Sequence, residues 1–383
     1  MKKPRIPKGP GRCESPEPFS GLFNVARNPV TKRHKGRHTP AKTKGQPGKG
    51  GAPIAGPSRR RNARFTGLLQ HQGITGAAPD PSAMPQALPP IRADLGPKGL
   101  TIDAAALSRA LAALPQGAPV VALVHGFSFA PGLPGVCPHS HILSLDPDLR
   151  DGKAISWPRH LALDGVRGLA IGLGWNARGT LWQAHGRALG AGAALAELAA
   201  LVRRIDPRRR LDVVGHSLGA RVALAALPRA AAGDLRRLIL LAGAEARSTA
   251  RAALDSPAGR AAQVVNVSTR ENDLFDALYE WLIHAGCRTS IGQGLGARAP
   301  ENWRDLWIDH AAGRAGLARL GYPLPAPPGR ISHWSPYLRP GLFALYRALI
   351  DGSLPAATLP RHRPARRWSL LVAPRLAAPL PPA

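Results

Sequence analysis

Val213-Val214-Gly215-His216-Ser217-Leu218-Gly219-Ala220 sets a serine between two glycines, G-x-S-x-G, directly after an apolar run and directly before an Ala/Leu stretch. That order reads as strand, sharp turn and helix. The spacing has a steric cause. A nucleophile on such a turn holds a strained backbone, and its flanking positions must be small so that strand and helix can close on each other. The turn also sets Ser217 at a helix N-terminus, where backbone N–H groups and the helix dipole favour developing negative charge. The chemistry this suits is attack by a hydroxyl on a carbonyl carbon. A serine hydroxyl is a weak nucleophile, so it needs a base to take its proton and a carboxylate to orient that base. Acids and histidines stand after later apolar runs: Glu245, then Glu271, Asp273 and Asp276, then His310 and His333.

Such residues need a frame, and from about residue 85 the chain supplies alternating β and α patterns. Ile102 to Leu114 reads as a helix through Leu107, Leu111 and Leu114. Pro119 to Val124 and Gly168 to Trp175 are continuous apolar runs of the kind found in buried parallel strands. A long Ala/Leu helix is expected from about Thr180 to Arg204, a strand over Leu211–Val214 and a helix from Leu218 to about Leu227. Leu235–Leu241, Gln263–Val267 and Asn302–Ile308 read as further strands, and about Gly341 to Ile350 as a final amphipathic helix. Strands alternating with helices imply an α/β fold, a mostly parallel sheet flanked by helices.

At this point the sequence resembles the α/β-hydrolase superfamily, from about residue 88 to 350. His125-Gly126-Phe127 follows an apolar strand where the family's oxyanion loop begins, and Gly215–Gly219 looks like its nucleophile elbow. The resemblance implies a serine hydrolase acting on an ester or thioester through an acyl-enzyme, esterase- or lipase-like, with no cofactor and no metal. It implies an oxyanion hole from the N–H groups of Phe127 and Leu218. The stretch Ser268-Thr-Arg-Glu-Asn-Asp273 after Val267 resembles the family's acid loop, with Asp273 as the chosen acid. Glu271 and Asp276 compete there, and Glu245 sits at an alternative acid position. His333, in a loop before the last helix, resembles the family's histidine site and leads over His310; Trp334 and Tyr337 are expected to pack beside it. His125 and His216 are read as shaping the turn rather than moving protons, and His139 and His141 as loop residues rather than metal ligands. The loop Phe127–Pro138 and the Gly-rich segment Gly286–Ala299 are expected as walls or lid of the acyl pocket. The same fold also admits an acyltransferase or a noncatalytic member.

The formal charge of +29 would ordinarily suggest nucleic acid or an anionic surface. Its distribution argues otherwise, because residues 1–65 carry +15 of it and the rest is spread along the chain almost wholly as Arg. Eight of the ten lysines precede residue 50. Residues 1–83 are rich in Pro, Gly, Lys and Arg and lack any sustained apolar period, so they are expected to be a disordered extension. Met84, one of two methionines, stands just before the globular pattern, which suggests a start near it and an over-extended reading frame before it. Residues 84–355 then form the catalytic domain and 356–383 an Arg/Pro-rich tail. Binding of nucleic acid through the basic extension is the rival reading; no aromatic interleaving or known motif accompanies the charge. No stretch is apolar enough for a transmembrane helix and no secretory signal follows the basic start, so a cytoplasmic protein is expected. Cys13, Cys137 and Cys287 form no CxxC pair and are expected as unpaired thiols.

Overall fold

The computed structural model describes residues 88–148 and 150–361. The extension expected over 1–83, the start suggested at Met84 and the tail beyond 361 lie outside those residues.

Eight strands form one sheet: β1 (Ile91–Gly96), β2 (Gly99–Ile102), β3 (Val120–Val124), β4 (Leu169–Gly174), β5 (Leu211–His216), β6 (Leu235–Leu241), β7 (Gln263–Ser268) and β8 (Trp303–Trp307). Their order across the sheet is β2-β1-β4-β3-β5-β6-β7-β8. The β1–β2 pair is antiparallel, and every other neighbouring pair is parallel. The hairpin is absent from the sequence reading, which ran Ile102 into the first helix. Asp103 ends that reading: its carboxylate accepts from the Ala106 N–H at 2.8 Å and starts α1 (Ala104–Ala113). An N-cap of this kind fixes a helix start to the residue, and Ile102 falls on the strand side of it.

The remaining helices are α2 (Trp157–His160), α3 (Leu181–Ile205), α4 (Leu218–Ala226), α5 (Arg247–Leu254), α6 (Pro257–Ala261), α7 (Asp273–His284), α8 (Ala311–Arg319), α9 (Ser335–Leu338) and α10 (Leu342–Asp351). They cover both faces of the sheet. Along β3, Val120, Ala122 and Val124 enter one apolar core with α1, α3 and α4. Val121 and Leu123 enter the other core, with Leu342, Leu345, Tyr346 and Leu349 of α10. A strand buried on both faces has no polar side to alternate with, which is why these runs are continuously apolar.

The small residues of α3 let it lie close on α4. A side chain at Gly192 would place its Cβ 2.6 Å from that of Ala225. Every residue of α4 is buried, including Arg221, which is paired with the buried Glu245. The central turn at the end of β5 therefore leads into a helix packed on all sides. No helix among the described residues is long and apolar enough to cross a membrane. Cys137 is a free thiol. Cys287 is disulfide-bonded, not the unpaired thiol expected.

Candidate active site

Ser217 joins β5 to α4 with φ 56° and ψ −119°, a left-handed backbone that a non-glycine residue rarely adopts. Such strain persists only where the surroundings enforce it. Here they do. The Ser217 N–H donates to the Leu241 carbonyl at 2.9 Å, and the Ser217 carbonyl accepts from both Ala220 and Ala244 at 3.0 Å. A Cβ at Gly215 would stand 2.6 Å from the Gly219 carbonyl oxygen, and one at Gly219 only 2.3 Å from that of Val124. The two flanking glycines are thus required by contact, as the spacing predicts. Ser217 occupies the helix N-cap, yet its hydroxyl makes no capping hydrogen bond. A serine at an N-cap ordinarily spends its oxygen on the helix; this one does not.

The loop after β3 lies against that turn. A Cβ at Gly126 would be 2.9 Å from both the His216 carbonyl oxygen and the Ser217 Cβ, so only glycine fits the approach. His125 holds the loop from beneath. It is fully buried, its Nδ1–H donates to the Gly126 carbonyl at 2.9 Å, and its Nε2 accepts from the Trp175 N–H at 3.1 Å. Both ring nitrogens are occupied, and burial lowers its pKa to about 4. His125 therefore has the loop-shaping place the sequence suggested. The Leu218 N–H opens α4 and has no acceptor within the helix, the usual state of a first-turn amide. Phe127 follows Gly126 and is partly buried.

Asn272 is the residue against His333. The His333 ring donates Nδ1–H to Asn272 Oδ1 at 2.6 Å, which leaves Nε2 as the acceptor nitrogen. The Phe275 ring stacks on it with centroids 4.7 Å apart. His216 binds the same loop: its Nε2–H donates to the His333 carbonyl at 3.0 Å, and the two rings are 4.6 Å apart. His333 thus packs directly on the residue that precedes Ser217. Burial, with the neighbouring His216, holds the His333 pKa well below the usual imidazole value. Glu271 ties down the rest of the loop, its carbonyl accepting from the Ser332 N–H at 2.9 Å and its carboxylate paired with Arg339. Tyr337 packs edge-on against His216, while the Trp334 ring lies 6.1 Å from that of His333.

Asp273, the acid chosen from sequence, begins α7 and is fully buried, but it faces Arg270 at 3.1 Å and Gln293 at 3.4 Å. The difference is one residue. Arg270–Asn272 form a tight 3-10 turn that Thr269 caps, and that turn directs Asn272 toward His333. Asp276 stands one helical turn on, where its Oδ1 accepts from Asn272 Nδ2 at 3.0 Å and from the Ser290 hydroxyl at 3.3 Å. Glu245, the alternative acid, pairs with Arg221 and accepts from the Ala246 N–H at 2.7 Å. His310 caps α8, accepting from the Gly313 N–H.

Two further groups of histidines matter for metal binding. His139 is paired with Asp94 at 2.7 Å and His141 with Asp151 at 3.1 Å, so each braces its loop. His185, Glu245 and His284 bring ligand atoms within 4.8 Å of one another. That set already has internal partners, because Arg221 neutralises Glu245 and the Tyr279 hydroxyl lies 3.1 Å from His185 Nε2. The Gly-rich segment expected as a lid is braced over 292–295, where its carbonyls accept from Arg270, Arg247 and Arg251.

No family model and no curated protein matches the chain. Among solved structures, a lipase-esterase related protein from Clostridium acetobutylicum ATCC 824 is similar at 7% identity and a TM-score of 0.30. The match covers 62% of this chain and 96% of that one. A likeness of that size adds nothing to the geometry above.

Proposed function

We propose that this protein is a serine hydrolase of the α/β-hydrolase type that cleaves an ester or thioester through an acyl-enzyme. One observation carries the reading: a serine held at φ 56° on a strand–helix turn, its hydroxyl not used as a cap, with a neutral half-buried histidine packed on the neighbouring residue. In the first half-reaction Ser217 Oγ bonds to the substrate carbonyl carbon while its proton passes to His333 Nε2. The oxyanion takes hydrogen bonds from the N–H groups of Leu218 and Phe127. As the carbonyl reforms, the bond to the leaving alkoxide or thiolate breaks, and His333 returns the proton to it. Water then repeats the cycle on the acyl-enzyme and frees the acid. Asn272 fixes the tautomer that this requires, since its carbonyl oxygen holds the proton on Nδ1.

The replacement of a carboxylate by an amide against His333 favours one rival, a noncatalytic or slow member of the same fold. Treatment with a fluorophosphonate probe separates them. The wild-type chain should be labelled at Ser217 and the Ser217→Ala variant should not. An unlabelled wild-type chain that is folded would overturn the proposal. Graded p-nitrophenyl esters would then give the acyl length.

A further inference from the structure

Among the described residues the turn before α7 gives His333 an amide and not a carboxylate as its hydrogen-bond partner, yet it places a carboxylate immediately behind. The path is continuous. His333 Nδ1–H donates to Asn272 Oδ1 at 2.6 Å, and the same amide donates through Nδ2 to Asp276 Oδ1 at 3.0 Å. Asn272 and Asp276 are four residues apart, the spacing at which side chains meet on one helix face. Both are buried, at 2% and 3% exposure. From the Asp276 side, Ser290 donates to the same Oδ1 at 3.3 Å, and the backbone of Gly292 presses so close that a Cβ there would lie 2.1 Å from the carboxylate oxygens. The carboxylate is therefore built into position by three elements: the turn, α7 and the 290–292 segment.

We infer that Asp276 is a positioning residue of the proposed reaction, acting on His333 through the amide of Asn272. The inference rests on the Ser217–His333 reading above. A carboxylate that accepts from Nδ2 polarises the amide, so that Oδ1 becomes a stronger acceptor for the imidazole N–H; hydrogen bonds in a chain strengthen one another in a buried setting. When His333 takes the Ser217 proton, the positive charge that forms on its ring is balanced by Asp276 across one amide. No proton leaves Nδ1, and no bond to Asp276 or Asn272 forms or breaks. Asp273, by contrast, has its carboxylate engaged by Arg270 at 3.1 Å and Gln293 at 3.4 Å.

The test is a double-mutant cycle on the full chain with a p-nitrophenyl ester, together with a charge swap. Asp276→Asn should lower kcat by about 10- to 100-fold and leave KM within about twofold, as expected when a group acts only in the transition state. Asn272→Ala should cost at least as much, and Asp276→Asn made in that background should add less than about twofold, because the connection is already cut. The swap Asn272→Asp with Asp276→Asn sets the carboxylate directly on His333 and should restore kcat to at least the wild-type value. Additive losses in the cycle, an Asp276→Asn variant with wild-type kcat, or a swap as slow as the single variant would each overturn the inference. If Asp276→Asn does not fold, Asp276→Glu with Asn272→Ala supplies the cycle on the same terms. Fluorophosphonate labelling of wild-type Ser217 is read separately, so a failure of the relay is distinguishable from a failure of the hydrolase reading.

Discussion

The two edges of the parallel sheet differ in how they use polar groups. At the C-terminal ends of the strands lie Ser217, His125, His216 and His333, mostly buried and held as neutral donors and acceptors. At the N-terminal ends lies an open concavity of about 420 Å³, lined by Gln116, Asp206, Arg208, Arg209, Arg210 and Arg236. The charged edge carries Asp206 among its arginines, its carboxyl held below the usual value chiefly by the hydrogen bond from Arg208. Its arginines are engaged by carboxylates and backbone, Arg208 pairing with Asp206 and Arg236 with Asp212. Arg209 donates to the carbonyls of Leu114, Pro115 and Ala118, and Arg236 and Arg237 both donate to that of Ile350 at the end of α10. Concavity and charge therefore go with ion pairs and backbone contacts at one edge, and strain with desolvated imidazoles goes with the proposed chemistry at the other.

The sharpest way to break that contrast is to remove the hydroxyl. Ser217→Ala should lower kcat by about 10⁴- to 10⁶-fold, the scale of a lost serine nucleophile, and leave the thermal midpoint unchanged or raised because backbone packing is untouched. Turnover of p-nitrophenyl esters, read beside a thermal melt, checks both halves. Residual activity within tenfold of wild type would place the chemistry elsewhere.

Acid should attack the Ser217 edge first. His125 and His216 are each lowered to about 4 chiefly by burial, against about 6.5 in the unfolded chain. Between those values the unfolded chain binds the extra proton, so stability falls as pH drops. Going from pH 7 to pH 5 should cost about 2 kcal/mol for each of the two. Urea unfolding at both values measures this. His216→Gln, which still donates to the His333 carbonyl but cannot titrate, should remove its share of the difference. A difference unchanged in that variant would reject the assignment. The lowered His333 should also keep the rate flat as pH falls through 6.5, with the acid limb below it.

Smaller still is the effect of one methyl group. Gly126→Ala must push the loop that carries the Phe127 N–H away from Ser217, because the new Cβ would be 2.9 Å from two atoms of the turn. Loss of one oxyanion donor is worth about 10²–10³ in rate. Gly152→Ala, where nothing lies within 4 Å, is the control and should change nothing. Equal rates in the two variants would mean that the loop after β3 takes no part.

The sequence reading reached the Ser217 turn because its cause is local: two glycines are demanded by contacts within four residues and by the adjacent strand β3. Most strands were legible for the same reason, as runs buried on both faces. The β1–β2 hairpin escaped it because Ile91–Gly96 and Gly99–Ile102 are short, half-exposed and mixed in polarity. Which residue meets His333 turns on one position, since Glu271, Asn272, Asp273 and Asp276 stand close together and only the 3-10 turn decides that Asn272 points there. The route from Asp276 through Asn272 is a tertiary fact, fixed by Ser290 and Gly292 beyond the end of α7.

The least dramatic change tests the opposite edge. Arg209 is 8% exposed, and its guanidinium reaches the carbonyls of Leu114 and Ala118 and shares that of Pro115 with the Ala118 N–H. Arg209→Ala should cost about 2–3 kcal/mol and lower the thermal midpoint by several degrees. Arg209→Lys should recover little, because one ammonium cannot reproduce a planar fork bonded to separate oxygens. Neither change should alter kcat at a temperature well below the midpoint, since Arg209 holds carbonyls at the opposite end of the strands from Ser217. If kcat fell in step with stability in both variants, the two edges would be coupled through β3 and β5, and the division between a structural edge and a chemical one would have to be given up.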